Sequence, residues 1–394
     1  MQAGLAGAPG LNSVAILSGY CLPGHGLDEL RKIVNSKLAQ NQGARSGALA
    51  LIESREAIGF VGAGLSVPLG YPGWSKLLTD MEFEGQKLGG FAMPVDPNEN
   101  YLDRAEAIKQ HFMLLGRLAF YEEMLGRTYA PYTDRPNYTN THQLLAGLPF
   151  RGFVTTNYED AIECALQFLS PGQCSDHGVV INSVEADRHR VSLFLQSITG
   201  GTGETRFVGH LHGRHNVTKS IILTAQEYEN AYGFPVTTEQ GTAPERATFH
   251  RNLSWALFAT RRMVFVGCSM KDPYIKALLN AVSRDLWQAF APNHFVILPL
   301  EVADLESAES IEADFARYGL RVVYYDNLDG SHAGLDRFLE EAAARCERRA
   351  QSGAATKAAV APAAVQKGAP SGNTDSAIWL EEVNERNATK PETP

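Results

Sequence analysis

An apolar run, Ile58-Gly59-Phe60-Val61, ends directly in Gly62-Ala63-Gly64-Leu65-Ser66. The run reads as a buried strand, and the glycine-rich stretch after it as a turn that accepts only tiny side chains. Missing Cβ atoms let backbone N–H groups come close to a ligand, and a helix N-terminus after the turn would add its positive dipole end, so the place suits phosphates. Alone, this signal is weak. It gains weight from three later polar clusters, each closing its own apolar run: Thr155-Thr156-Asn157-Tyr158, Gly209-His210-Leu211-His212-Gly213 and Gly267-Cys268-Ser269-Met270-Lys271-Asp272.

Six segments are short, rich in β-branched and aromatic residues and largely free of alternation, as buried parallel strands are. They are residues 58–61, 152–155, 206–211, 263–266, 294–298 and 320–325. Helical stretches lie between them at 73–81, 160–168, 249–259, 273–282 and 335–345. This alternation predicts an α/β fold, a Rossmann-like, mainly parallel six-stranded sheet. Ligands of such sheets bind beyond the carboxyl ends of the strands, where the four polar clusters fall.

Two gaps, 85–150 and 212–262, are too long for simple crossovers and predict helical insertions. One such helix is 102–117, with its stripe Leu102, Ala105, Ile108, Phe112, Leu115. From 351 the composition turns to Ala, Pro, Gly, Lys and Thr, which reads as a disordered tail whose one apolar island is Ile378-Trp379-Leu380. The expected organisation is an N-terminal segment 1–45, a main domain 46–350 and the tail 351–394.

With 394 residues, 44% of them hydrophobic, the chain can bury a full core, and a net charge of −9 argues against a broad nucleic-acid face. The five cysteines, Cys21, Cys164, Cys174, Cys268 and Cys346, form no Cys-x-x-Cys pair, which argues against a zinc ribbon and a disulfide framework and suits a reducing cytosol. The early apolar stretch Val14-Ala15-Ile16-Leu17 is short, broken by Ser18-Gly19 and preceded by no basic residue, so no secretory signal is expected. No run is long enough to span a membrane, and the expected location is cytoplasmic.

The glycine turn is not a dehydrogenase fingerprint, because Val67 stands where a third glycine is needed, and no Gly-Lys-Ser/Thr phosphate loop occurs. The set Gly62-Ala63-Gly64-Leu65-Ser66 with Gly70-Tyr71-Pro72-Gly73-Trp74, then Thr155-Thr156-Asn157-Tyr158, His212-Gly213 and Gly267-Cys268-Ser269-Met270-Lys271-Asp272, resembles the sirtuin-like superfamily. Within that superfamily the resemblance is to the bacterial branch of anti-phage NAD-degrading effectors, and it spans roughly residues 50 to 345, with the motifs in the family's order.

The resemblance implies NAD+ as substrate and a site of defined residues. The turn from Gly62 through Ala63 and Gly64 to Ser66 would hold the pyrophosphate. Asn157 would bond the nicotinamide-side ribose and place the attacking water. His212 would contact the ribose hydroxyls as base or positioner, Gly267 and Ser269 would face the adenosine half, and Thr156 and Asp160 would complete the contacts. No metal is expected. Cleaving a nicotinamide–ribosyl bond passes through an oxocarbenium-like state, so the site must hold the sugar rigidly and offer the nucleophile a polar acceptor. An amide carbonyl and an imidazole can do both, and histidine can exchange protons near neutral pH.

There are departures from the family pattern. Glu159 comes first and Asp160 second after the Asn-Tyr pair, so either carboxylate can be the one that points inward. The four-cysteine zinc module of deacetylase sirtuins cannot be built, which weakens a protein-deacylase reading.

Simpler roles stand beside these. Asn157 could cap the helix immediately after it, Asp272 suits the cap position before Pro273, and Cys268 suits a buried structural thiol. His210 and His212 should share one side if the strand runs that far, which makes His210 a second candidate; with His215 they could be read as metal ligands, but completing groups are not spaced nearby. Tyr158, Trp74 and Tyr228 read as packing residues.

The implied function is NAD glycohydrolase activity in an abortive, anti-phage response, carried out by a homo-oligomer with a partner in trans, such as a HerA-type ATPase or a short Argonaute. A non-catalytic NAD+ or ADP-ribose sensor and an NAD-dependent deacylase are the alternatives. No direct contact with nucleic acid or membrane is expected.

Overall fold

The short apolar runs are strands in the computed structural model, which describes residues 27–89, 100–172, 176–182, 184–200, 205–234, 246–286 and 294–360. Cys21, Cys174, the first 26 residues and the apolar island of the tail lie outside these. By its contacts the chain divides after Arg349 into two units, and the sheet with its covering helices belongs to the first.

The strands are β1 (Ile58–Val61), β2 (Phe153–Thr155), β3 (Gly178–Val180), β4 (Val208–His210), β5 (Met263–Val266), β6 (His294–Leu300) and β7 (Leu320–Asp326). They form one sheet in the order β3-β4-β2-β1-β5-β6-β7, and every pairing is parallel. The count of six expected from sequence is thus corrected to seven among the described residues. The added strand, β3, is only Gly-Val-Val, too short to stand out as an apolar run.

The helices are α1 (Leu27–Gln40), α2 (Gln42–Glu53), α3 (Trp74–Leu88), α4 (Tyr101–Leu114), α5 (Leu118–Thr128), α6 (Asn140–Gly147) and α7 (Ala161–Leu169). They continue as α8 (Val184–Thr199), α9 (Ala225–Tyr232), α10 (Phe249–Thr260), α11 (Pro273–Asp285), α12 (Ala308–Arg317) and α13 (Ala333–Val360). The long gaps hold helices as expected: α4 to α6 in the first, α9 and α10 in the second. Helix α13 continues past position 351, where the composition changes.

Because β1 and β5 are apolar on both faces, both must be covered. Ile58, Phe60, Val154, Phe265 and Val296 pack against α1, α8, α10 and α11 through residues such as Val34, Phe194, Leu257 and Leu278. Val61, Phe153, Val208, Val264 and Ile297 pack against α2, α6, α7 and α13 through Ile52, Leu145, Leu166 and Phe338. A third apolar cluster, built on α3, α4 and α5 with Leu78, Ile108, Phe112 and Leu125, takes in Tyr158 and so sits over the carboxyl end of β2. Helices α3 and α4 are clasped by a buried bidentate pair, Arg104 Nε and Nη2 on the two carboxylate oxygens of Glu82, both at 2.5 Å.

The sheet edges are tied off by side chains. Asn41, between α1 and α2, donates to the Val322 carbonyl and accepts from the Tyr324 amide, both at 3.0 Å, along the outer edge of β7. At the opposite edge Arg190 donates to the Gly178 carbonyl.

Candidate functional site

The sheet order puts β4, β2, β1 and β5 side by side, so all four polar clusters emerge at one edge of the sheet. The chain leaves β1 and β5 toward opposite faces, the arrangement that opens a crevice in doubly wound sheets. Here the crevice is drawn together. Gly62 N–H donates to Val266 O and Gly64 N–H to Gly267 O, both at 2.9 Å. A Cβ on Gly62 would lie 2.5 Å from Gly267 O, and one on Gly64 2.8 Å from the same atom. The glycines are therefore needed for close approach of two backbones.

The helix expected at 73–81 forms, but it does not begin at the turn itself. Ala63–Leu65 and Val67–Leu69 are 3-10 turns, and the α-helix starts only at Trp74, so no α-helix dipole end stands at the glycines. With the Gly62 and Gly64 amides engaged, the exposed Ala63 amide is the one left without a protein partner at the tip, among the described residues.

Asn157 lies just beyond β2 and is buried. Its Nδ2 donates to Ser66 Oγ at 3.1 Å and to Glu159 Oε1 at 2.8 Å, and its backbone N–H to Thr155 Oγ1 at 3.0 Å. Ser66 Oγ also donates to Glu159 Oε1, while Glu159 Oε2 accepts from the Ala161 amide at 2.6 Å. It is therefore Glu159, not Asn157, that serves the start of α7. Burial pushes the Glu159 carboxyl up, against the hydrogen bonds from Ser66 and Ala161. The Asn157 side-chain oxygen is buried with no partner among the described residues. A buried, unpaired carbonyl is costly, and its usual explanation is a ligand or water that belongs there.

Both carboxylates whose orientation the sequence left open are buried, but they face different groups. Asp160 takes Arg214 Nε at 2.6 Å and Nη2 at 2.9 Å on its two oxygens, and His215 Nε2 at 2.8 Å. Burial works to raise its pKa, but His215 and Arg214 overcome this and hold the carboxyl well below the ordinary range. Asp160, Glu163 and His210 approach one another closely, and the contacts of Asp160 with Arg214 and His215 make the group an ion-pair network.

His212 is buried beyond β4 with both ring nitrogens engaged: Nε2 lies 2.8 Å from Tyr232 Oη and Nδ1 3.1 Å from Tyr228 Oη. The Tyr228 hydroxyl donates to Asp272 Oδ2 at 3.2 Å, so it accepts from His212 Nδ1–H, and Tyr232 donates to Nε2. Burial lowers the His212 pKa to about 3, so the ring is neutral near pH 7 rather than poised to exchange protons there. Tyr228, expected only to pack, is thus a partner of the candidate catalytic ring as well. The strand ends at His210, short of the condition under which His210 and His212 would share one side; the His210 ring meets Glu163 and the Asn157 carbonyl, and the partners of the two rings have no residue in common.

In the loop after β5, Asp272 caps α11 as expected, accepting from Tyr274 N at 2.9 Å and Ile275 N at 3.1 Å. Met270 there has φ 51°, a costly value for a non-glycine residue. Burial pushes the Cys268 thiol far up, which fits a structural role. Ser269 is exposed and Thr156 half-buried. Cavities of about 440 and 170 Å³ lie elsewhere, beside β7 and on α10.

The all-parallel sheet, its glycine crossing and the Asn157 and His212 segments on neighbouring strands form an α/β domain with its polar clusters gathered at one edge. Residues 151–323 match the family described as SIR2-like domain, and the chain carries that domain. Three related proteins bear the name NAD(+) hydrolase ThsA. The one from Acinetobacter baumannii (strain 532279) is 25% identical over 310 residues, covering 75% of this chain and 55% of that protein. Those from Bacillus cereus (strain MSX-D12) and Enterococcus faecium are 24% identical over 265 residues and 22% over 246, covering 67% and 62% of this chain and 47% and 44% of theirs. The chain spans about half the length of these relatives. The glycine crossing at β1 precedes the matched region, and the sheet brings it back into the middle.

Proposed function

We propose that this chain hydrolyses NAD+ at the nicotinamide–ribosyl bond. The observation that carries the reading is the unpaired, buried Asn157 oxygen, held by a side-chain nitrogen fixed on Ser66 and Glu159. Such a group is a pre-set acceptor for a ribose hydroxyl or for the attacking water. In the reaction the electron pair of the C–N bond leaves with nicotinamide, the water oxygen bonds to the ribosyl carbon, and one proton is shed. The SIR2-like domain and the names of the related proteins support the same chemistry.

In this reading Ala63 and Gly64 meet the pyrophosphate, with Gly62 and Gly267 closing the backbone crossing beneath them, and Ser269 and Thr156 line the approach. Asp160 acts on the site through Arg214 and His215. His212, neutral, positions the sugar by hydrogen bonding once α9 gives way. We extend the reading to an anti-phage effector acting as a homo-oligomer in the cytoplasm. A partner in trans, a HerA-type ATPase or a short Argonaute, would release it.

The test is nicotinamide release from NAD+ by the purified protein, with and without the product of the neighbouring gene, repeated with Asn157→Ala and His212→Ala. Loss in both variants supports the reading. Tight NAD+ binding without release under any activating condition overturns it in favour of a sensor. Release only with an acylated peptide overturns it in favour of a deacylase.

A further inference from the structure

We propose that His210 and Glu163 form a positioning pair that fixes the Asn157 backbone and thereby aims its side-chain oxygen; the proposal rests on the NAD+ hydrolase reading. His210, the last residue of β4, is fully buried. Its Nδ1 lies 3.0 Å from the Asn157 carbonyl oxygen, and its Nε2 lies 2.5 Å from Glu163 Oε1 on α7. A carbonyl oxygen only accepts, so Nδ1 carries a hydrogen. A proton must also lie between Nε2 and Glu163, whichever of the two owns it, and the ring is therefore locked in orientation.

Asn157 stands past the end of β2, where no strand ladder remains to hold its peptide groups. Two side chains do so instead: Thr155 accepts the Asn157 N–H, and His210 donates to its C=O. Thr155 in turn donates to the Val61 carbonyl at 2.8 Å, which ties the residue to the strand that ends in the glycine crossing. Burying an imidazole–carboxylate pair is expensive, and apolar residues of similar size often stabilise as well or better. The pair bears on Asn157, one of the residues whose buried side-chain oxygen is left open at this edge, and a carboxylate behind an imidazole fixes its orientation and tautomer. Asp160, at the cap position before α7, and Arg214 from the loop after β4 are the other charges acting on the ring.

The experiment compares His210→Asn, His210→Leu, Glu163→Gln and Glu163→Leu with wild type. Asparagine keeps an N–H where Nδ1 stood, and glutamine can donate to Nε2 and preserve the ring orientation. The readouts are kcat and KM for nicotinamide release, and the Asn157 side-chain amide signal in asparagine-selectively 15N-labelled protein, assigned by its disappearance in Asn157→Ala. Both leucine variants should lose about 30-fold to 100-fold in kcat with KM within about threefold, and the Asn and Gln variants should stay within about fivefold of wild type. The Asn157 amide signal should move in the leucine variants and hold in the conservative ones. Equal losses in conservative and leucine variants, or an unmoved signal with full kcat in His210→Leu, would overturn the proposal. If the leucine variants fail to fold, the decision falls to the conservative pair: retained kcat and signal support positioning, and loss of both refutes it. If wild type releases no nicotinamide under any condition, the hydrolase reading fails, and the amide signal alone decides whether His210 and Glu163 fix Asn157.

Discussion

Gly64 donates its amide hydrogen to the carbonyl oxygen of Gly267 at 2.9 Å, joining the loop after β1 to the loop after β5. Gly62 has φ −109°, which any residue adopts, so what an added methyl group would violate there is space rather than torsion.

Gly62→Ala and Gly64→Ala should therefore each destabilise the fold by roughly 1–3 kcal/mol, as overpacking does, and weaken NAD+ binding. Gly73→Ala, where an added Cβ meets nothing within 4 Å, is the control. Urea unfolding and calorimetric titration with NAD+ would check this; unchanged midpoints in the first two variants would contradict the crossing.

Four buried histidines make stability depend on pH. Burial lowers His212 and His250 to about 3 and His142 and His294 to about 4, so in the folded state they stay neutral where the unfolded chain takes up protons. Stability should be full above about pH 6.5 and fall as pH drops toward 4, by about 1.4 kcal/mol per pH unit for each ring. Glu159 and Asp272, raised by burial, act in the opposite direction. Thermal melts between pH 5 and 8 would show the fall, and a flat profile would be inconsistent with neutral buried rings.

Arg214→Leu leaves Asp160 without its bidentate partner and should cost roughly 3–5 kcal/mol, while Arg214→Lys should recover little because it lacks the fork. Asp160→Leu combined with Arg214→Leu should be closer to wild type than Arg214→Leu alone. Gly178→Ala tests the same contact from β3, since its Cβ would lie 2.6 Å from the guanidinium carbon. Chemical denaturation of the series gives the ordering.

Tyr232→Phe strips the His212 Nε2 of its donor inside a buried cluster and should lower stability by roughly 1–3 kcal/mol. A calorimetric scan decides; no loss would mean that water or a rearranged ring replaces the hydroxyl.

The sheet was legible because its central strands are apolar on both faces: β1 and β5 fall where the composition places them, residue for residue. β3 was hidden by its length and by a glycine kept there for Arg214 rather than for a turn. At the site, residues next to the motifs were readable and those brought in from elsewhere were not. Tyr228 and Tyr232 reach His212 from α9, one helical turn apart, and their spacing signals only a helix face. Glu163 left a trace, as the one acid within the apolar stretch Ala161-Ile162-Glu163-Cys164-Ala165-Leu166. A lone carboxylate on such a face asks for a buried partner, and His210 is that partner. Of the two roles open to His212, base or positioner, burial favours the second by keeping the ring neutral near pH 7, and desolvation is something no spacing rule reports.

The side chain of Asn41 occupies the amide and carbonyl that β7 would otherwise offer to a neighbouring molecule, and Arg190 does the same to the β3 carbonyl on the far side. Two copies of this protein therefore meet blunted borders if they try to zip their strands into one continuous ribbon. Shaving Asn41 back to alanine would free one amide and one carbonyl of that border for a stranger's backbone.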